Sequence, residues 1–158
     1  MAKAVVETFV NAPIEICFDL ARDIDVHTQT VWAHTKERAV AGRTKGLIEL
    51  GETVTFEATH FGIRQRLTSK IVEFEYPVLF TDQMQKGAFA HLKHTHLFEK
   101  SGANGTLMRD ILEFGSPLGI IGRIFDYFVL ENYMRRFIEA RNEKLKELAE
   151  KNRNMQLS

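Results

Sequence analysis

The sequence is poor in cysteine and proline. It contains one cysteine, Cys17, so no internal disulfide forms, and only three prolines among its 158 residues. A chain without a disulfide framework is typical of a reducing compartment, which predicts a cytoplasmic protein. An excess of either charge is also missing, because 21 basic residues balance 21 acidic ones. Such a balanced chain gives no electrostatic reason to expect a nucleic acid or an anionic membrane as partner.

Long hydrophobic runs are absent as well. No window approaches the roughly 20 apolar residues that span a membrane. The N-terminal sequence MAKAVVETFV is interrupted by Glu7 and has no apolar run of signal-peptide length. No glycine cluster forms a phosphate loop or a dinucleotide fingerprint, so no cofactor is expected. These absences favour a single domain over residues 1–151, followed by a frayed tail over 152–158.

The N-terminal part predicts one strand and two short helices. Residues 2–10 alternate in polarity, as a strand does. Asn11-Ala12-Pro13 predicts a helix start, since proline loses no hydrogen bond in a first helical turn. Apolar residues at positions 14, 17, 18 and 21 then form one helical face, which makes Cys17 a small core residue. A second short helix is predicted over residues 26–34.

Six further strands are predicted between residues 37 and 114. They are Glu37–Ala41, Glu52–Phe61, Ile63–Phe74, Val78–Lys86, Phe89–Lys100 and Gly105–Phe114. Glycine, proline and asparagine separate the runs, and short turns of this kind join antiparallel neighbours.

The C-terminal part predicts one long helix. No proline occurs from Leu118 to about Lys151, and a helix of that length is a rod of roughly 50 Å. Ser116-Pro117 predicts its N-cap and first turn. The predicted fold class is therefore α+β, a curved antiparallel sheet wrapped around a long C-terminal helix, in the order β-α-α-β6-α.

Several segments resemble one known superfamily. They are Asn11-Ala12-Pro13-Ile14-Glu15, the run GETVTFEATHFG over 51–62, Leu67-Thr68-Ser69-Lys70-Ile71, Phe80-Thr81-Asp82-Gln83-Met84, His94-Thr95-His96-Leu97-Phe98 and Pro117-Leu118-Gly119. From Lys3 to about Leu148 the chain resembles the START, polyketide-cyclase and birch-pollen-allergen (SRPBCC) superfamily, in particular its bacterial cyclase/dehydrase-like, cell-division-inhibitor-like subgroup. The resemblance implies a helix-grip fold with a deep cavity for lipids, polyketides or similar molecules. It implies no single chemistry.

Strand alternation assigns strand residues to that cavity, because successive side chains point to opposite faces, and the apolar stripe of the long helix adds Ile121, Phe125 and Phe128. The predicted ligand-binding residues are Phe56, His60, Leu67, Phe80, Asp82, Met84, Leu92, His94, His96, Phe98, Met108, Asp110, Leu112, Ile121, Phe125 and Phe128. Five of them are titratable, and burying such groups is costly unless they are paired or hydrated. A binding site uses a few polar groups of this kind to orient its ligand.

The polar set supports more than one function. The leading hypothesis is a carrier of a small hydrophobic molecule, with no metal. His94-Thr95-His96 has metal-ligand spacing, and His60, Asp82 or Asp110 could complete a site, but no cysteine cluster or helical His-Glu-x-x-His motif supports one. The runner-up is a cyclase or dehydratase in which His94 or His96, held in one tautomer by Asp110 or Asp82, is the general base. A third hypothesis is a protein-interaction module with a filled core. A homodimer stays open.

Glycines and an aromatic residue suggest a gate to the cavity. Gly119 and Gly122 stand at the start of the long helix, where they would allow close approach to the sheet or flexibility. Trp32 is either the opposite lip of the cavity or a core aromatic. The sequence alone does not choose between these alternatives.

Overall fold

A computed structural model describes residues 2–158 and gives seven strands and four α-helices for them. The strands are β1 (Ala2–Val10), β2 (Arg38–Gly42), β3 (Thr53–His60), β4 (Ile63–Glu75), β5 (Leu79–Lys86), β6 (His91–Ser101) and β7 (Gly105–Gly115). The helices are α1 (Ile14–Ala21), α2 (Ile24–Thr30), α3 (Gly119–Phe125) and α4 (Glu131–Leu157). A 3₁₀ turn covers Ala33–Thr35, and a π-helical segment, Asp126–Leu130, joins α3 to α4.

The strands form one antiparallel sheet in the order β1-β7-β6-β5-β4-β3-β2. Strands β2 to β7 are neighbours in chain order because short turns join them. Strand β1 lies at the edge of the sheet opposite β2, where it pairs with β7 and Val6 faces Asp110. The predicted α+β helix-grip architecture and the predicted order of elements along the chain are confirmed.

Helix α4 lies against the concave face of this sheet. Its buried positions are Phe137, Ile138, Arg141, Asn142, Leu145 and Ala149, a stripe at helical spacing. One end of the stripe packs with α1 around Phe18, and the other packs with Leu112 and Phe114 of β7. The apolar core therefore divides into two clusters, with space between sheet and helix. No helix within residues 2–158 is long and apolar enough to span a bilayer.

Three predicted boundaries differ from the structure. The second helix begins at Ile24 instead of residue 26, because Asp23 caps it by accepting from the Asp25 and Val26 amides. It ends at Thr30 instead of 34, because Val31 is extended. The C-terminal helix continues to Leu157, past the residue 151 at which fraying was expected.

The N-cap predicted at Ser116 is also wrong. Gly119 has φ +57°, a left-handed conformation that interrupts any helix starting before it. The regular helix therefore begins only at Gly119, with Leu118 at the N-cap position. The Ser116 backbone amide instead donates to Asp126 Oδ2 at 2.9 Å, which ties the base of α3 to the next turn.

Candidate ligand-binding site

A cavity of about 310 Å³ separates the sheet from α4. This volume is at the lower end of the range for small-molecule sites, roughly 300–1,000 Å³. Most of its wall is apolar, and the wall includes Ala21, Ile24, Ile48, Val54, Phe56, Ala58, Leu67, Ile71, Phe80, Leu92, Leu112, Phe125, Leu130, Met134, Phe137 and Ile138. Side chains of β3 to β7, α2 and α4 thus enclose a space that the core does not fill.

The strand alternation correctly placed most of the predicted residues. Those that line the cavity are Phe56, His60, Leu67, Phe80, Asp82, Leu92, His94, His96, Leu112 and Phe125. Their roles in binding stay predictions. The shared inner face follows from period-2 alternation, which the observed registers preserve across these strands.

Six predicted residues lie outside the wall. Phe98 and Met108 are on the inner face but are buried under α1, where Phe98 packs against Phe18 at 5.1 Å between ring centroids. Asp110 is covered by the histidines and α4. Met84 is half-buried beside Gly87. The remaining two, Ile121 and Phe128, are 74% and 68% exposed because only a narrow seam of the α3 region faces the body.

A polar cluster of four side chains occupies the middle of the sheet. His94 Nε2 donates to Asp110 Oδ1 at 2.8 Å, and His96 Nε2 lies 3.1 Å from Asp82 Oδ2. The other His96 nitrogen, Nδ1, lies 3.0 Å from Asp110 Oδ1. The two imidazole rings stack with centroids 3.7 Å apart. One imidazole thus stands between two carboxylates, and the second contacts one.

The environment shifts the pKa values of the two histidines in opposite directions. Burial and the neighbouring His96 lower the pKa of His94 to about 4, so His94 is neutral near pH 7. Burial also opposes a charge on His96, but hydrogen bonds and charges from Asp110 and Asp82 outweigh it and raise the pKa of His96. The His96 ring stacks on Phe80 at 4.1 Å between centroids, a contact that suits a cation.

Both carboxylates of the cluster are ionised. Burial alone would raise the pKa of Asp110, but hydrogen bonds from His94 and His96 hold it well below its ordinary value. The pKa of Asp82 is also lowered, because the His96 hydrogen bond and the histidine charges outweigh its burial. Their two negative charges face the guanidinium of Arg141 and favour the protonated form of His96.

Helix α4 supplies residues that the sequence reading overlooked. Asn142 Nδ2 donates to Asp110 Oδ2 at 2.7 Å, and Arg141 Nη1 lies 3.9 Å from Asp110 Oδ1. Arg141 also donates to the Ala21 carbonyl at 3.1 Å. Both α4 side chains are almost fully buried. The signal was present, because positions 141 and 142 fall on the apolar stripe of the helix, between Phe137-Ile138 and Leu145.

The cavity wall next to helix α2 contains a second polar pair. His27 Nε2 lies 2.8 Å from Glu37 Oε1, and the His27 ring stacks on Phe56 at 4.5 Å. Neither residue stands in an apolar pattern, so no sequence signal distinguished this pair from ordinary surface polar residues. At the other end His60 Nδ1 lies 2.6 Å from the Tyr133 hydroxyl.

The geometry also bears on metal binding and nucleophilic catalysis. Asp82, His94 and His96 offer one donor atom each within 4.8 Å of one another. Both nitrogens of His96 already face carboxylates, so a metal would have to displace these contacts.

Burial raises the pKa of the Cys17 thiol to about 11, which leaves it protonated and unsuited as a nucleophile.

These shifts predict a stability maximum near pH 6.5. The unfolded chain protonates His94 near pH 6.5 but the folded protein only near pH 4, so the free energy of unfolding falls as pH decreases through that window. His60, whose pKa burial also lowers, adds to this slope. The raised pKa of His96 stabilises the fold below pH 6.5, and this contribution is lost as pH rises through its folded value.

Urea unfolding between about pH 4.5 and 8.5 measures how the free energy of unfolding changes on the acid and the alkaline side of this maximum. We expect His94→Gln to reduce the acid-side slope, because glutamine cannot take up the proton. Below about pH 4 the lowered pKa values of Asp82 and Asp110 add a further loss. A wild-type curve that is flat from pH 6.5 to 4.5 would contradict the assignment of a neutral, buried His94.

Comparison with known proteins agrees with this architecture. The crystal structure of TTHA0849 from Thermus thermophilus has a TM-score of 0.70 at 19% identity, covering 92% of this chain and 94% of that one. A START superfamily protein from Mycobacterium smegmatis has a TM-score of 0.73 at 13% identity, covering 96% and 99%. Ginseng major latex-like protein 151 from Panax ginseng has 0.67 at 10%, covering 93% and 96%. At these identities the likeness shows the fold alone.

Sequence comparison identifies the family. No curated protein matches the chain. Residues 1–150, nearly the whole chain, match the family described as polyketide cyclase / dehydrase and lipid transport. The sequence resemblance to the START and SRPBCC superfamily is thereby confirmed. The chain belongs to the polyketide cyclase / dehydrase and lipid transport family, and its fold is START-like.

Proposed function

We propose that the protein binds and carries a small apolar molecule that bears a hydroxyl group. The observation that carries this proposal is the unfilled cavity of about 310 Å³, whose apolar wall is interrupted by the His94–His96–Asp82 cluster. A core that served only stability would fill this space, since protein interiors pack as densely as organic crystals. A cavity with few polar groups suits a ligand of matching polarity.

The apolar wall supplies the affinity. Burying apolar surface contributes roughly 25 cal/mol for each Å² removed from water. Phenylalanines contribute broad faces without polar atoms, and Phe56, Phe80 and Phe137 all border the cavity. The ligand class follows from this wall and the family, whose description includes lipid transport.

The polar cluster selects the ligand's polar group. His94 uses its Nε2 proton toward Asp110, which leaves a lone pair on Nδ1 of a residue in the cavity wall. Asp82, also in the wall, is ionised and accepts hydrogen bonds. Both groups can accept a hydrogen bond from a ligand hydroxyl. The Asp82 charge repels a carboxylate, which disfavours free fatty acids.

A pair of fluorescent probes tests this selectivity. We expect 2-naphthol to bind more tightly than 2-methylnaphthalene by about 2- to 10-fold, since one hydrogen bond contributes about 0.5–1.5 kcal/mol. His94→Phe should reduce the difference, because an aromatic ring remains but one of the two acceptors, His94 Nδ1, is lost while Asp82 stays. His91→Phe, an exposed position on the same strand, is the matched control and should keep it. Equal wild-type affinity for both probes would refute the role of His94.

The His94–Asp110 pair also supports a second candidate, a cyclase or dehydratase. A histidine held by a carboxylate beside an apolar cavity is an arrangement that general-base catalysis uses. The pKa of about 4 makes His94 a weak base at neutral pH, which favours the carrier. Recovery of the bound molecule unchanged after incubation supports carriage. Conversion that His94→Phe abolishes while binding persists supports the enzyme.

A further inference from the structure

The segment from α3 through the π-helical turn exposes an unusual amount of apolar surface. Between residues 118 and 130 only Gly122, Asp126 and Leu130 are buried, at a spacing of four. The exposed apolar residues of this segment are Leu118, Ile120, Ile121, Ile124, Phe125, Tyr127, Phe128 and Val129. We call this set the α3 patch. Ile120, Ile121 and Phe128 are 75%, 74% and 68% exposed.

The attachment of the segment to the body explains its exposure. Gly122 lies so close to Ser116 that an added Cβ would meet Ser116 Oγ. Asp126 accepts from the Ser116 amide at 2.9 Å. These contacts hold the segment along one seam, and at 100° per residue the other positions leave most of its circumference uncovered. Contiguous apolar surface of this kind marks a site of interaction.

The α3 patch is continuous with the cavity. Phe125 belongs to both the patch and the cavity wall, and its ring contacts Phe61 with centroids 6.0 Å apart. Phe61 is itself 52% exposed, borders the cavity and packs on Tyr133 at 4.5 Å. An apolar molecule leaving the cavity at this end meets the α3 patch before it meets water.

The exposed charge on the segment is positive only. Arg123 is its exposed charged residue, and the carboxylate of Asp126 is buried against the Ser116 amide. Apolar residues with a cation and no exposed anion are typical of helices that lie in the interface of an anionic membrane. Tyr127, with an apolar ring and a polar tip, suits the same depth.

We propose that the α3 patch docks on the surface of a bilayer containing anionic lipid and opens the cavity toward it. A lipid interface surrounds a partly immersed helix, and this fits a segment exposed around most of its circumference. A second copy of the chain would cover one side and would place protein across this end of the cavity. The proposal concerns the outer surface and does not depend on which molecule the cavity holds.

Vesicle sedimentation tests the docking. We expect the protein to sediment with vesicles of phosphatidylcholine and phosphatidylglycerol in equal parts. The double variant Ile120→Gln/Ile124→Gln should bind at least about 10-fold more weakly, because each isoleucine contributes burial in the interface. Arg123→Gln should weaken binding to these vesicles but not to phosphatidylcholine alone. The control Leu50→Gln/Val78→Gln changes two exposed apolar residues outside the patch and should bind like wild type.

Two results would overturn the docking proposal. One is wild-type protein that stays in the supernatant at every lipid concentration. The other is a concentration-dependent dimer, seen by analytical ultracentrifugation, that Ile120→Gln/Ile124→Gln dissolves, since the patch would then bind a second copy. Circular dichroism and probe binding establish that each variant is folded with an intact cavity, so a failure of docking is distinguishable from a failure of ligand carriage.

Discussion

Replacing Asp110 by asparagine is expected to lower the free energy of unfolding by about 3–5 kcal/mol, the cost of removing one partner from a buried ion pair. Asp110 faces His94, His96 and Arg141, and it accepts from Asn142 at 2.7 Å. The neutral amide would leave the guanidinium of Arg141 and the two histidines with Asp82 as the single carboxylate of the cluster. Urea unfolding at pH 7 measures the loss.

The matched control is the ion pair between Arg109, the neighbour of Asp110 on β7, and Glu7 on β1. Arg109 pairs with Glu7 at 2.9 Å, and the two side chains are 39% and 51% exposed. Solvent screens this pair, so Glu7→Gln should change stability by less than about 1 kcal/mol. Equal, small effects of Asp110→Asn and Glu7→Gln would mean that the cluster is not the compensated, buried charge network described above.

Filling the cavity is expected to abolish ligand binding without unfolding the protein. Ala58 is buried in β3 and borders the cavity, so a phenylalanine there would project its ring into the empty space. We expect Ala58→Phe to bind 2-naphthol at least about 10-fold more weakly, since the ring displaces the probe from its apolar contacts. Stability should be kept or raised, because the new side chain gains apolar contacts of its own.

Ala41→Phe is the control for this substitution. Ala41 lies on β2, the strand that pairs with β3, but its side chain is exposed and outside the cavity. It should bind the probe as wild type does. Ala58→Phe that binds the probe normally would mean that the probe, and by extension the ligand, sits elsewhere.

The sheet could be predicted closely because alternation and turn residues are local signals. Gly62, the Tyr76-Pro77 pair and Asn104-Gly105 all fell at the strand ends that the structure shows. The inner face then followed from period 2, which put His94 and His96 on the cavity side. The cluster itself was expected only as a set of polar residues, since its pairing depends on distances between strands.

Helix faces could be predicted less well because apolar spacing does not reveal what covers a face. Ile121, Phe125 and Phe128 have the spacing of a core stripe, yet only Phe125 reaches the cavity wall. Within residues 118–130 only Gly122, Asp126 and Leu130 are buried, so the segment contacts the body of the protein along one seam. Conversely, Arg141 and Asn142 look like surface residues and are buried, because Asp110 lies beneath them. Tertiary contacts decide both outcomes.

Native mass spectrometry of the protein purified from its natural source tests the central claim most directly. The account predicts a species heavier than the bare chain by one small molecule, which denaturation releases and which is identified as apolar and hydroxylated. Ala58→Phe purified in the same way should lack the added mass. Wild-type protein that carries nothing and also takes up neither 2-naphthol nor any other apolar probe would contradict the claim that the cavity is a binding site.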